Sequence, residues 1–361
     1  MPRVAIAHEW LVAYAGSERC VEELRALYPG SPLLTTIVNT TAVPATLRDA
    51  RPSFLQHVPW ATSHHEWLLP VMPLAWRVRP ALHDVDVVVS SSHACAKAVR
   101  VAPGIPHVCY CHTPMRYAWD FTAEQDRFPP AIRPLARVGM AGFRRWDRST
   151  ASGVTQFVAN STAVAARIRR SYDRDARVVH PPVRTEFFTP GGGRSDDFLF
   201  VGRLTGYKAP GVLIDAFASL PYRLLVVGEG AGRAALERRA ADNVVFLGRV
   251  DDDRLRDLYR SARAMGYPVD EDFGIAIAEA QACGTPVIGL AAGGATDIVE
   301  PGVTGWLVGE RSVGAFRQAV ETSAASELDH GLIAERAQRF SGARFREEMG
   351  EVVDETIARA R

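Results

Sequence analysis

Short apolar runs alternate along this chain with stretches whose apolar residues recur at helical spacing. Residues 4–7 (VAIA) read as a buried strand, and 17–27 as a helix with Val21, Leu24 and Leu27 on one face. Further strands are predicted at 85–89, 108–111 and 156–159, with helical patterns between them. After position 198 the alternation starts again. Strands at 198–201, 224–227 and 244–247 are interleaved with helices at 232–241 and 253–262, then comes a small-residue helix between Gly274 and Gly284 and a strand at Val287-Ile288. Uninterrupted apolar strands separated by helices imply α/β units with parallel sheets covered on both faces. The periodicity fails between Pro182 and Ser195, where Pro190 precedes three consecutive glycines. The boundary is placed there, giving domains at 1–187 and 188–344, with 345–361 an amphipathic helix lying across a surface.

The length of 361 residues with 47% hydrophobic composition fits two cores better than one. A formal net charge of +1 argues against nucleic acid as partner. The five cysteines are odd in number and embedded in apolar or helical patterns, which suits a reduced, intracellular protein. The chain opens on an apolar strand rather than a basic leader and has no run long enough to span a bilayer, so a cytoplasmic location is expected. Trp60, Trp67, Leu68, Leu69 and Trp76 are read first as core packing, with peripheral contact at the inner membrane face as the alternative. Cys109 and Cys111 share a strand face beside His112 but lack further ligands. The acidic strings at 84–86 and 251–253 are better explained as strand edge and helix cap, so no metal is expected.

The chemistry-bearing residues gather at the ends of predicted strands. Glu271 and Glu279 bracket a glycine turn, Phe273-Gly274-Ile275, that opens a helix. Its free backbone amides suit an anion, while the carboxylates accept hydrogen bonds from hydroxyls. The alternative for the pair taken alone is a helix cap and a solvated helix residue. Arg203 and Lys208 follow the strand at 198–201. An arginine fork and a lysine point charge can hold a diphosphate there, the alternative being two surface cations. Residues 110–120, which include His112, Arg116, Tyr117 and Asp120, form a dense polar and aromatic run after another strand. Ala15-Gly16 opens the first helix, and Ser161 is read as a helix cap.

Glu271 and Glu279 with Phe273-Gly274 between them resemble the paired-glutamate signature of retaining glycosyltransferase family 4. Val201-Gly202-Arg203-Leu204 with Lys208, the Gly16 loop, Gly228-Glu229-Gly230, Leu247-Gly248-Arg249-Val250 and Gly293-Gly294 resemble further family elements in the same order. The run from Tyr110 to Asp120 resembles the subgroup of bacterial O-antigen and exopolysaccharide mannosyltransferases. The resemblance implies a GT-B architecture, two Rossmann-like domains facing across a cleft with the helix at 345–361 returning to the first, and metal-independent hexose transfer with retention of anomeric configuration. It implies His112, Arg203, Lys208 and Glu271 as catalytic residues. Gly16, Gly248, Val250, Phe273, Gly274, Ile275 and Glu279 join Arg203, Lys208 and Glu271 at the donor, and Arg116, Tyr117 and Asp120 lie toward the acceptor. No cofactor is implied beyond a nucleotide-sugar co-substrate, GDP-mannose first. The acceptor is a hydroxyl on a sugar, a lipid-linked glycan or a natural product. Another nucleotide sugar, or donor binding without turnover, are the alternatives.

Overall fold

The computed structural model describes residues 1–120 and 133–361. Within them the apolar runs form two six-stranded parallel sheets. The chain divides into two compact units, Met1–Pro182 with Phe345–Arg361, and Val183–Arg344.

The first sheet contains β1 (Val4–His8), β2 (Leu33–Leu34), β3 (Val87–Ser92), β4 (His107–Cys111), β5 (Gln156–Ala159) and β6 (Ala176–Val178), in the order β2-β1-β3-β4-β5-β6. All residues of β1, β3 and β4 are buried, because helices cover both faces of a parallel sheet. The helix Gly16–Leu27 contributes Cys20, Val21 and Leu24 to one face. The C-terminal helix, Gly342–Ala360, returns to this unit from Phe345 onward. Its Phe345, Met349, Val352 and Val353 belong to the same core cluster as β1 and β3. Arg177 pairs with Glu351 at 2.7 Å and with Glu355 at 3.1 Å along its flank.

The second sheet contains β7 (Phe198–Val201), β8 (Leu224–Val227), β9 (Val244–Gly248), β10 (Ala264–Tyr267), β11 (Val287–Leu290) and β12 (Gly305–Val308), in the order β12-β11-β10-β7-β8-β9. This is the doubly wound order of a dinucleotide-binding fold, and the first sheet has the related flavodoxin-like order. In each, the chain reverses direction of travel across the sheet at one point, between β1 and β3 in the first unit and between β7 and β10 in the second. Crevices at the carboxyl ends of such strands are where open α/β sheets bind ligands.

Three features differ from the sequence expectation. The first unit ends at Pro182 rather than 187, because Val183 donates a backbone hydrogen bond to Phe340 at 2.8 Å and, with Phe188, packs into the second core. β3 runs on through Ser90, Ser91 and Ser92, whose hydroxyls are all hydrogen-bonded in the interior. The helix expected at 232–241 contracts to Arg233–Glu237. In the tryptophan-rich segment, Trp76 is fully buried and Leu68 nearly so, but Trp67 is 71% exposed. Among the described residues no helix is long and apolar enough to cross a membrane.

Candidate active site

The second unit brings three predicted residues, Arg203, Lys208 and Glu271, to its switch point. β7 ends at Val201, and the loop after it carries Arg203 and a single 3₁₀ turn, Gly206–Lys208. β10 ends at Tyr267, and its loop carries Glu271 before the helix Ile275–Ala282. The Lys208 ammonium pairs with Glu271 Oε1 and donates to the Tyr267 hydroxyl at 3.2 Å, while that hydroxyl donates to Glu271 Oε2. Both carboxylate oxygens are therefore occupied by donors, one cationic and one neutral. Burial raises the Tyr267 phenol well above its ordinary range, reinforced by Tyr207 and Glu279, so it stays protonated and donates. Lys208 is buried, but the Glu271 side chain is 24% exposed. Arg203 lies exposed at the strand end and forms no ion pair with a described residue.

Glu271 does not cap the following helix, because the N-cap is Gly274, with φ +99° and ψ 60°. Glycine is suited to that left-handed conformation, and the first amides of the helix have no intrahelical acceptor. Glu279 is likewise no solvated residue. It is buried one turn into the helix, where Tyr259 donates to its Oε2 at 3.4 Å. The Phe273 side chain is core, packed edge-on against Phe340 with ring centroids 5.4 Å apart, so only its backbone remains for a donor contact. Ile275 is half-buried beside it. The turn rests on Gly293-Gly294: the Gly294 amide donates to the Glu271 carbonyl at 2.8 Å, and a Cβ on Gly294 would stand 2.2 Å from the Phe273 carbonyl oxygen. Gly248 closes β9, its carbonyl accepting from Gly228 at 2.8 Å, and Val250 follows half-buried.

In the first unit His112 directly follows β4. Its Nε2 lies 2.8 Å from Ser91 Oγ, its carbonyl accepts from Asn160 Nδ2 at 3.0 Å, and the Tyr110 ring packs edge-on against it. Burial, then the charges of His93 and His8, hold its ring well below the ordinary histidine range, so it is neutral near pH 7. Gly16 is the first residue of its helix and has no positive φ. Arg116 is half-buried and Asp120 exposed at the two ends of a one-turn helix, and the Tyr117 side chain lies outside the described residues. Ser161 and Asp251 cap helices, accepting from Val164 at 3.1 Å and Arg254 at 2.8 Å. Cys109 and Cys111 sit in apolar packing with Phe157, Val164 and Ile168. Among the described residues no three His, Cys, Asp or Glu side chains are grouped to hold a metal ion.

The sequence pattern did not single out Tyr267, Tyr259, His8 or Glu9, whereas Asn160 lies in the 158–161 segment that resembles a family element at a strand end. The two tyrosines read as ordinary apolar strand and helix residues. For His8-Glu9 a signal was present: a basic and an acidic side chain closing a fully apolar strand at its carboxyl end.

Comparison with known proteins matches residues 14–187 to Glycosyltransferase Family 4 and residues 186–340 to Glycosyl transferases group 1. The D-inositol 3-phosphate glycosyltransferase of Mycobacteroides abscessus is 35% identical over 231 residues, covering 57% of this chain and 50% of the relative. The chain thus spans about half the length of the curated relatives it matches. Sucrose-phosphate synthase from Thermosynechococcus elongatus superposes with a TM-score of 0.76 at 21% identity, over 99% of this chain and 100% of that one. Anabaena Alr3699/HepE, solved with UDP and glucose, superposes with a TM-score of 0.70 at 18% identity, over 98% of this chain and 100% of that one. Two doubly wound sheets in this order, each unit matched over nearly its whole length, make the chain a glycosyltransferase family 4-type domain followed by a glycosyltransferase group 1 domain on the GT-B fold.

Proposed function

We propose that this chain transfers a hexose from a nucleoside diphosphate sugar to a hydroxyl acceptor, with retention of anomeric configuration and without a metal ion. The observation that carries the reading is the Lys208–Glu271–Tyr267 group at the second switch point, with Arg203 exposed beside it. When the sugar–phosphate bond breaks, negative charge builds on the departing diphosphate. A guanidinium fork and an ammonium at the strand end supply the stabilisation that a metal would otherwise give. Lys208 is held by Glu271, so an arriving phosphate exchanges one anionic partner of the lysine for another. Glu271 is then released toward the hydroxyls of the transferred sugar, the first-turn amides at Gly274 and Ile275 face phosphate, and Glu279 accepts from the ribose. His112 supports the sugar or acceptor hydroxyl, and the leaving diphosphate takes the acceptor proton.

GDP-mannose is the first donor to test, on the resemblance of residues 110–120 and 271–275 to mannosyltransferases. A second reading, with an inositol phosphate as acceptor, is favoured by the curated relatives, which are named D-inositol 3-phosphate glycosyltransferases. Purified protein is incubated in chelator with GDP-mannose, UDP-glucose and UDP-N-acetylglucosamine, with and without inositol phosphate, and products are read by mass spectrometry. Cleavage of one donor without metal is expected. Binding without cleavage across all acceptors would leave a nucleotide-sugar-binding protein, and no binding at all would overturn the reading.

A further inference from the structure

The first unit's switch point holds a line of polar side chains that the proposed chemistry does not use. His8 ends β1 and Ser91 is its register partner on β3, so the two side chains share one face of the sheet. Both residues are fully buried. His8 Nδ1 lies 3.2 Å from the Ser91 carbonyl oxygen and 3.1 Å from Ser91 Oγ. Its Nε2 lies 3.4 Å from Glu18 Oε1, and Glu18 Oε2 accepts the Ala15 amide at 3.0 Å. Ser91 Oγ continues the line to His112 Nε2 at 2.8 Å.

We propose that Glu18, His8 and Ser91 are positioning residues that fix the His112 ring in a single tautomer, Nε2 accepting and Nδ1–H turned outward as a donor. The inference rests on the reading of His112 as a residue that meets substrate.

The proposed directions start from atoms that can only accept. A carbonyl oxygen only accepts, so His8 Nδ1 must carry the hydrogen it shares with the Ser91 carbonyl and hydroxyl. Its Nε2 faces a carboxylate, so both ring nitrogens of His8 are placed to donate. Ser91 Oγ, accepting from His8, turns its one hydrogen toward His112 Nε2. A neutral His112 that accepts at Nε2 carries its hydrogen at Nδ1. Three further features keep the line in place. Glu18 is pulled down to about 2, burial opposing but outweighed by the hydrogen bond and charge of His8, so it remains a carboxylate. His93 packs edge-on against both His8 and His112, with ring centroids 6.3 and 6.1 Å away. Asn160 ties the His112 backbone to the end of β5. His112 thus works as a hydrogen-bond donor rather than a base, consistent with leaving the acceptor proton to the diphosphate.

The test is the histidine ring nitrogen–proton spectrum of the full chain labelled with nitrogen-15 in histidine, the His112 signals identified by their loss in His112→Gln. The wild type is expected to show one neutral form protonated at Nδ1. Ser91→Ala should give mixed tautomers, and Ser91→Thr, which keeps the hydroxyl, should restore the single form. Glu18→Gln, which preserves shape while removing the carboxylate that faces His8 Nε2, provides a second variant if Ser91→Ala does not fold. In transfer assays Ser91→Ala should lower kcat on the order of ten- to a hundred-fold with an unchanged donor KM. Protonation at Nε2 in the wild type, or the same tautomer in wild type, Ser91→Ala and Glu18→Gln, would overturn the proposal. The spectrum is read without substrate, so the predicted tautomer changes in a protein that cleaves no nucleotide sugar would sustain the positioning line and refute the transferase reading instead.

Discussion

Glu9 in the first unit and Glu271 in the second are carboxylates beside corresponding switch points, yet they are held by opposite means. Glu9 is fully buried. It accepts from the Ser92 hydroxyl and the backbone amides of His93, Ala94, Cys95 and Ala96, which wrap around it at 2.8–3.1 Å. Burial alone would raise its pKa, but the charge of His93 and the hydrogen bonds from Ala96, Ser92 and Cys95 outweigh that and hold it below its ordinary value. Glu271 has no such nest. Its partners are the side chains of a lysine and a tyrosine, and it is partly open to solvent. Backbone amides cannot leave a carboxylate, whereas an ammonium can exchange it for a phosphate. On the function proposed above, one switch point stays fixed and the other exchanges partners.

The largest effect that would break this contrast is on folding. Glu9→Leu strands four backbone amides in the interior and should cost about 3–5 kcal/mol in urea unfolding, or prevent folding. A loss below about 1 kcal/mol would show that the nest is not structural. In the second unit, Arg203→Ala should leave the unfolding midpoint within about 0.5 kcal/mol of wild type while lowering kcat roughly a hundred- to a thousand-fold. Equal losses of stability and rate would make Arg203 structural and erase the difference between the two sites.

Gly294→Ala sharpens the comparison by disturbing the seat of Glu271 and not its partners. Its Cβ would collide with the Phe273 backbone, so thermal melts should show a loss of about 1–3 kcal/mol together with weaker donor binding. Gly314→Ala, in a helix with open space around it, is the control and should stabilise by up to about 1 kcal/mol. The smallest effect is the acid limb of stability. Glu9 and Glu18 both have folded values below the unfolded 4.5, so their contribution is full above pH 4.5. It is lost as pH falls through the folded values, near 2 for Glu18. Unfolding midpoints measured from pH 6 downward should fall over that window, and Glu18→Gln should flatten part of the fall.

Much of this was legible in the chain because buried parallel strands must be apolar throughout. The runs at 4–7, 198–201 and 224–227 could hardly be anything else. Ser90-Ser91-Ser92 hid the rest of β3, since hydroxyls satisfied inside the fold look the same in sequence as hydroxyls facing water. Arg203, Lys208, Glu271 and Glu279 stood out as charges in glycine-rich turns and a small-residue helix. Tyr267 did not, because an aromatic residue closing an apolar strand looks like core until its hydroxyl is seen on Glu271. The Glu18–His8–Ser91–His112 line joins three strands and a helix far apart in sequence, and only the register of β1 on β3 brings it together.

The most direct test of the exchangeable site is acceptor-free cleavage of the preferred nucleotide sugar by wild type and Lys208→Met, followed by release of nucleoside diphosphate under chelator. The account predicts slow cleavage by wild type and a rate at least a hundred-fold lower in a folded Lys208→Met. Equal rates in the two proteins would contradict it, because the diphosphate would then be leaving without the cation that the second switch point holds ready.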